Sequence, residues 1–414
     1  MKLSLRFLYL LPLFLVLSTD ATYDGLGFRL EKPIIVLLML ASFYFYREYK
    51  SWFRVWFCVY VLYFLALCLE GYYLYNRPLG HLHVSAKMMV CFSIFSLYGF
   101  YKRFGEKVSI KGIIFIIMTG FILNALLVNS RAFSLGAFLN HERGISSDSV
   151  YLLIIPLLYN FNTYLKEAHW TNLFSFLLVA FLIFFLQHRT VWVSSVVCLF
   201  VNFLLIRRAH LSVSLRNVLP FAMVMLILGL VASTYVLSDE KISQKISHSF
   251  AQILNPTGND KDDEESTSEW RYQQNLAYWP FIEENPVFGM RFYGFDLPIQ
   301  FYSIKDGEPV FEDGTGHHFH SLYVDRLFYQ GLFGLLLLLL PMVYFLGKAL
   351  IYSPRLSIEQ LVLLAYFSSA LIFGISYNWP TYIYGLLGYV LFRVEVANIP
   401  RPQPEKQALV LAQA

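Results

Sequence analysis

The chain has 414 residues, of which 57% are apolar, 18% aromatic and only 14% charged, whereas an average soluble domain is about a quarter charged. With a mean hydropathy of +0.53, this composition excludes a soluble enzyme, a disordered chain and a nucleic-acid-binding protein. The formal net charge of +4 is too small, at this size, to indicate a polyanion partner. Cys58, Cys68, Cys91 and Cys198 all lie inside apolar runs without CxxC or Cys/His spacing, so they read as small apolar fillers rather than a disulfide or metal framework.

A transmembrane helix needs roughly 20 mostly apolar residues, and about twelve stretches approach that requirement. They centre on residues 5–18, 33–46, 52–69, 84–101, 109–128, 149–165, 170–187, 191–206, 217–237, 322–349, 358–376 and 380–394. The first, preceded by Lys2 and Arg6, also has the look of a signal peptide, but no small-residue cleavage site follows it. The predicted fold is therefore an all-α polytopic membrane protein. Residues 1–237 hold nine spans, 238–320 form one large hydrophilic loop, 321–394 hold three more spans, and 395–414 form a Pro-containing tail.

Orientation follows from the basic residues that flank the spans. Alternate short segments hold 18 of the 32 Lys and Arg, including Arg47, Lys50, Lys102, Arg103, Arg207, Arg208 and Arg393. The 238–320 loop instead has six basic and fifteen acidic residues, among them the run Asp260-Lys261-Asp262-Asp263-Glu264-Glu265. Both termini are thus expected in the cytoplasm and the acidic loop outside it, which is the periplasm in a cell with two membranes.

Polar groups against lipid are costly, so those at outer span ends become candidates for function. Arg189 lies in the short Gln187-His188-Arg189-Thr190 connection, where a planar, always-charged fork suits a phosphate. It suits an ordinary lipid headgroup equally well. Arg271 starts a helix expected over Ser268–Ile282, capped by Ser266 or Ser268, with Trp270, Ala277 and Phe281 on one face and Pro280 kinking or ending it. The following Asn285-Pro286-Val287-Phe288-Gly289-Met290-Arg291 turn would let backbone approach a ligand closely. His320, in Gly316-His317-His318-Phe319-His320-Ser321, would precede the first turn of a helix. There the dipole disfavours imidazolium and keeps a neutral proton acceptor. A metal site built on His317, His318 and His320 is the competing reading, though no HExxH or Cys-rich spacing supports it. Walker, GxSxG and Rossmann patterns do not occur.

Together these motifs resemble the bacterial O-antigen ligase/polymerase superfamily. His320-Ser321-Leu322-Tyr323 followed by Gly331 and Gly334 is similar to the family's His-(Asn/Ser)-x-(Tyr/Leu)…Gly-x-x-Gly helix entry. Arg271, Ala277, Pro286 and Gly289 are similar to its Arg…Ala…Asn-Pro-x-x-Gly stretch, and Arg189 to an earlier essential Arg. His317 and His318 depart from the pattern, as does Arg291, because many relatives carry Gly-x-Gly after the proline.

The resemblance implies a multi-pass inner-membrane glycosyltransferase of GT-C-like architecture with its active site in the periplasm. It implies an undecaprenyl-diphosphate-linked glycan as donor, the lipid A core as acceptor, membrane lipids as surroundings, and no cofactor or metal. His320 would be catalytic, Arg189 and Arg271 would bind the diphosphate, and Arg291, His318 and His317 would support them. O-antigen ligase is the favoured branch because only one outer segment is large. A repeat-unit polymerase, or a lipid-linked-saccharide transporter without covalent chemistry, is the alternative.

Overall fold

The computed structural model describes residues 9–21, 31–105, 108–139, 144–209, 218–219, 223, 267–302, 318–352 and 356–397. No β-strand occurs among them. The helices used below are α1 (Leu11–Ala21), α2 (Glu31–Tyr44), α3 (Ser51–Tyr75), α4 (Leu82–Phe104), α5 (Ile110–Leu123), α6 (Ile154–Glu167), α7 (Trp170–Phe185), α8 (Arg189–Leu205), α9 (Thr267–Glu284), α10 (Leu322–Tyr352), α11 (Ile358–Ser376) and α12 (Thr381–Ala397). Eleven of the twelve expected spans coincide with a described helix. The other, 217–237, falls almost wholly outside the described residues.

Among the described residues, six stretches are long and apolar enough to cross a membrane: Ser51–Tyr75, Leu82–Phe104, Ile110–Val128, Arg189–Arg208, Leu322–Ala349 and Ile358–Ser376. Their outer faces carry large exposed apolar groups such as Leu62, Leu69, Phe115, Phe200 and Leu340. Only lipid covers such surface at low cost, and the chain is a multi-pass membrane protein.

The most enclosed of these six is α4. Small residues allow this, because two helix backbones approach closely only where one of them lacks a side chain. Gly388 of α12 faces the Ile94 carbonyl of α4, so an added Cβ would lie 2.1 Å from that oxygen. Farther along, Tyr98 and Lys102 both reach Glu395, which fixes α4 and α12 as parallel neighbours.

α8 and α11 are antiparallel. The Leu356 N–H donates to the Arg208 carbonyl at 3.1 Å, while Cys198 sits against Ser369. Buried polar groups on this side satisfy one another, as hydrocarbon requires. Asn162 and Asn202 exchange amide bonds of 2.8 and 3.0 Å, and the Tyr151 hydroxyl meets Ser369 Oγ at 2.8 Å.

These ties sort the charges by end. Lys50 and Lys102 share Glu395, and Arg393 pairs with Glu359 at 2.5 Å, near the Arg208–Leu356 contact. His83, Arg271 and His320 lie toward the other end. The sequence expectation of basic residues concentrated on one side is matched by this grouping.

Candidate active site

Three connections strap the segment before α10 to the far end of α11. The Asn378 amide donates to the Phe319 carbonyl at 2.6 Å, the Tyr323 hydroxyl to the Leu371 carbonyl at 2.7 Å, and Ser321 Oγ to the Gly374 carbonyl at 3.4 Å. Arg271 joins them from α9. Its Nη1 donates to the Ser376 carbonyl at 3.1 Å, and the guanidinium carbon lies 5.1 Å from the centre of the Tyr377 ring. Gln274, one turn on, donates to the His318 carbonyl at 3.2 Å. The end of α11 thus gathers Arg271 and His320 from segments far apart in sequence.

Burial lowers the His320 pKa, and the nearby Arg271 and His318 lower it further, to about 4. The imidazole is therefore neutral at pH 7 and able to accept a proton. The direction expected from the helix entry is found, but its main cause is desolvation.

Arg189 is at the same end. From the Cys198–Ser369 contact, nine residues along α8 and seven along α11 reach Arg189 and Ser376, each roughly 10–14 Å at 1.5 Å per residue. Arg189 is the first residue of α8 rather than the middle of a turn. Gln187 makes the turn instead, with φ of 57°, and His188 Nε2 is tied to the Ile145 carbonyl at 2.8 Å.

Arg291 points elsewhere. Its Nε lies 3.2 Å from Glu70 Oε1 on α3, and its φ is 51°. It thus occupies, in the left-handed region that favours glycine, the position where the family pattern has its second glycine. His318 sits edge-on to His83, ring centres 3.8 Å apart. His317 lies outside the described residues. Among the described residues, no group of three or more His, Cys, Asp or Glu is arranged to hold a metal ion.

Two expectations need correction. The helix carrying Arg271 continues through Pro280 to Glu284. Its buried face is Gln274, Tyr278 and Ile282, while Tyr272, Leu276 and Trp279 are exposed. Tyr278 packs against Phe319 and Phe328, with ring centres 5.2 and 5.6 Å away, and this contact sets the helix rotation. Moreover, the close approach at Gly289 is taken up by another part of the chain. α10 breaks at Gly331, where φ is 63° and ψ is −169°, and the 286–291 loop docks into the break. The Phe328 and Tyr329 carbonyls accept from the N–H groups of Met290 (2.7 Å) and Arg291 (3.1 Å), and the N–H groups of Leu332 and Phe333 donate to the Pro286 (2.8 Å) and Val287 (2.9 Å) carbonyls. In an unbroken helix Phe328 would pair with Leu332, and Tyr329 with Phe333. The loop replaces those two bonds with four.

One buried network lies beneath His320, built on Lys87, Asp325 and Arg326, charges that the sequence places near span ends without showing how they pair. Lys87 Nζ lies 2.5 Å from Asp325 Oδ1 and 4.1 Å from the centre of the Tyr329 ring. Arg326 donates to Gln330 Oε1 at 2.8 Å, the Tyr384 hydroxyl at 2.9 Å and the Lys87 carbonyl at 3.0 Å. The available signal was charge of both signs inside two apolar spans, which must be paired. Asp325→Leu will lower thermal stability in detergent by about 3–5 kcal/mol, because it leaves Lys87 buried and unpaired. The double variant Lys87→Met/Asp325→Leu should recover most of that loss, and a double variant no more stable than Asp325→Leu would rule out the pairing.

One comparison with known proteins bears on the family. Residues 174–339 match the family model described as O-antigen ligase. That stretch is about two fifths of the chain. No curated protein matches the chain. The match bears out the resemblance to the O-antigen ligase/polymerase superfamily and implies a glycosyl-transfer enzyme acting on a lipid-linked glycan and an acceptor. The matched stretch contains Arg189, Arg271, Arg291, His317, His318 and His320. The end of α11 that anchors Arg271, and the α4 residues Lys87 and His83, lie outside it, so the matched stretch packs against helices on both sides of it in sequence.

Proposed function

We propose that the protein is an O-antigen ligase of the inner membrane, with both termini cytoplasmic, about twelve spans and a GT-C-like arrangement. It moves a polysaccharide from undecaprenyl diphosphate to a sugar of the lipid A core at the periplasmic face. The observation that carries this reading is a neutral, half-buried His320 beside the Arg271 guanidinium at the end of α11.

His320 takes the proton of the acceptor hydroxyl. The hydroxyl oxygen forms a bond to the anomeric carbon as the bond from that carbon to the diphosphate oxygen breaks. Direct attack inverts the anomeric centre. Arg189 and Arg271 neutralise the charge growing on the departing diphosphate, without requiring a metal. Bound diphosphate also offsets the Arg271 charge that disfavours imidazolium, so the donor raises the basicity of His320 as it binds. Apolar helix faces hold the prenyl chain in the bilayer.

The test is reconstitution with a defined prenyl-diphosphate glycan, with and without lipid A-core and with and without chelator. Transfer that requires lipid A-core supports the ligase. Chain extension on the carrier alone marks a polymerase, and carrier binding without any product marks a transporter. In the same assay Arg271→Lys should lower turnover roughly 100-fold, because an ammonium cannot make two parallel contacts to a diphosphate. Unchanged turnover would count against the clamp.

A further inference from the structure

A strip of aromatic and polar side chains runs from His320 away from the Arg271 anchor, toward the outer ends of α3 and α4. His318 contacts His83, with ring centres 3.8 Å apart. His83 lies 5.7 Å from the Phe295 ring and Phe295 4.3 Å from the His81 ring. His81 Nε2 meets Asp296 Oδ1 at 2.8 Å, and the Tyr75 hydroxyl donates to Asp296 Oδ2. None of these contacts belongs to the diphosphate clamp or to the break in α10.

We propose that this strip, centred on Asp296 and Phe295, is the subsite for a neutral sugar of the acceptor glycan. A carboxylate offers about four lone-pair directions. Tyr75 and His81 use one on each oxygen and fix the group in place. The Asp296 side chain remains 43% exposed, so its free lone pairs can accept from a sugar diol. The neighbouring rings of Phe295, His81 and His83 present flat apolar area of the kind that covers the C–H face of a pyranose, and such sites combine apolar walls with a few fixed polar groups. Beside the strip Arg291 is matched by Glu70, and the exposed Asp296 carboxylate itself disfavours an acidic sugar at its side.

The assignment to the acceptor follows from displacement geometry and rests on the glycosyl-transfer reading above. An inverting attack needs the incoming oxygen opposite the leaving diphosphate. Arg271 is anchored on α11 and the strip on α3 and α4, with His320 between them in electrostatic reach of both Arg271 and His318. The sugar whose hydroxyl gives its proton to His320 therefore extends along the strip.

Asp296→Asn keeps the shape of the side chain and removes its charge; Phe295→Leu removes the ring. In reconstituted transfer each should raise the acceptor KM about tenfold while leaving kcat and the donor KM unchanged. A merely structural role would move all three together, and the proposal is wrong if the acceptor KM stays at the wild-type value. A second measurement does not depend on chemistry. Core oligosaccharide freed of lipid A is added to protein in nanodiscs and followed by saturation-transfer NMR. Signals in the wild type that weaken in Asp296→Asn support the subsite even if no transfer is ever seen, an outcome that would instead remove the ligase reading. Absence of wild-type signals, or signals equal in both proteins, overturns the subsite.

Discussion

Replacing His320 by alanine will reduce glycan transfer by about 10²–10⁴-fold, the usual contribution of a positioned general base, while binding of the prenyl-diphosphate donor is retained. Both halves of that expectation come from placement. The imidazole stands outside the α10 helix, on a segment that Asn378, Ser321 and Tyr323 hold by their own bonds, so those anchors remain when the proton acceptor is lost. The diphosphate clamp is assigned to Arg271, which has its own anchor at Ser376. Transfer by the alanine variant at wild-type rate, with purified donor and acceptor, would take the base role away from His320.

The pH dependence has a definite sign. Because the folded-state pKa is lowered to about 4, the acid limb of kcat/KM for the free enzyme should fall near pH 4 and not near the ordinary imidazole value of about 6.5. An acid limb near pH 6.5 that disappears in the His320 variant would contradict the burial described here. The same shift acts on stability. Between the folded and unfolded values the unfolded chain binds the extra proton, so stability is full above about 6.5 and declines as pH falls toward about 4. His320→Gln should flatten that part of the thermal stability profile in detergent.

Gly331→Ala will destabilise the protein by about 3 kcal/mol or more, from backbone strain of about 1–3 kcal/mol together with weakened buried hydrogen bonds. At φ 63° and ψ −169° the backbone lies in a region essentially reserved for glycine. An added Cβ would stand 2.4 Å from the Val287 carbonyl carbon and oxygen. Relief requires the 286–291 loop to withdraw, which leaves the Phe328 and Tyr329 carbonyls and the Leu332 and Phe333 N–H groups without their partners. Gly289→Ala should fail similarly, since its Cβ would lie 2.5 Å from the Gly331 nitrogen. Combining both substitutions should cost less than the sum of the two, because each already undocks the same loop. Thermal unfolding of the purified variants in detergent measures this, and wild-type stability in Gly331→Ala would show that the loop does not depend on the break.

Arg291 shows how a motif departure becomes intelligible only in three dimensions. The sequence places an arginine where the pattern that the chain resembles has glycine. The structure keeps the glycine-like backbone, with φ of 51°, and gives the side chain a partner in Glu70. The strain is held by the bond from the Arg291 N–H to the Tyr329 carbonyl. Likewise the rotation of the Arg271 helix does not follow from the spacing of Trp270, Ala277 and Phe281. An amphipathic pattern gives the period of a helix, whereas here aromatic packing of Tyr278 on Phe319 and Phe328 chose the face.

Hydropathy and charge order along the chain were enough to locate the apolar helices, the grouping of basic residues at one end, and the three segments that carry Arg189, Arg271 and His320. Those features are local, because each span must satisfy its own backbone and present its own apolar surface to lipid. Partnership was not local. Lys87 with Asp325, Glu70 with Arg291, Gly289 with Gly331 and Arg271 with Ser376 are long-range pairs in a helical bundle. Helix order and register create them, since a buried charge or an open carbonyl takes whichever partner packing brings within reach.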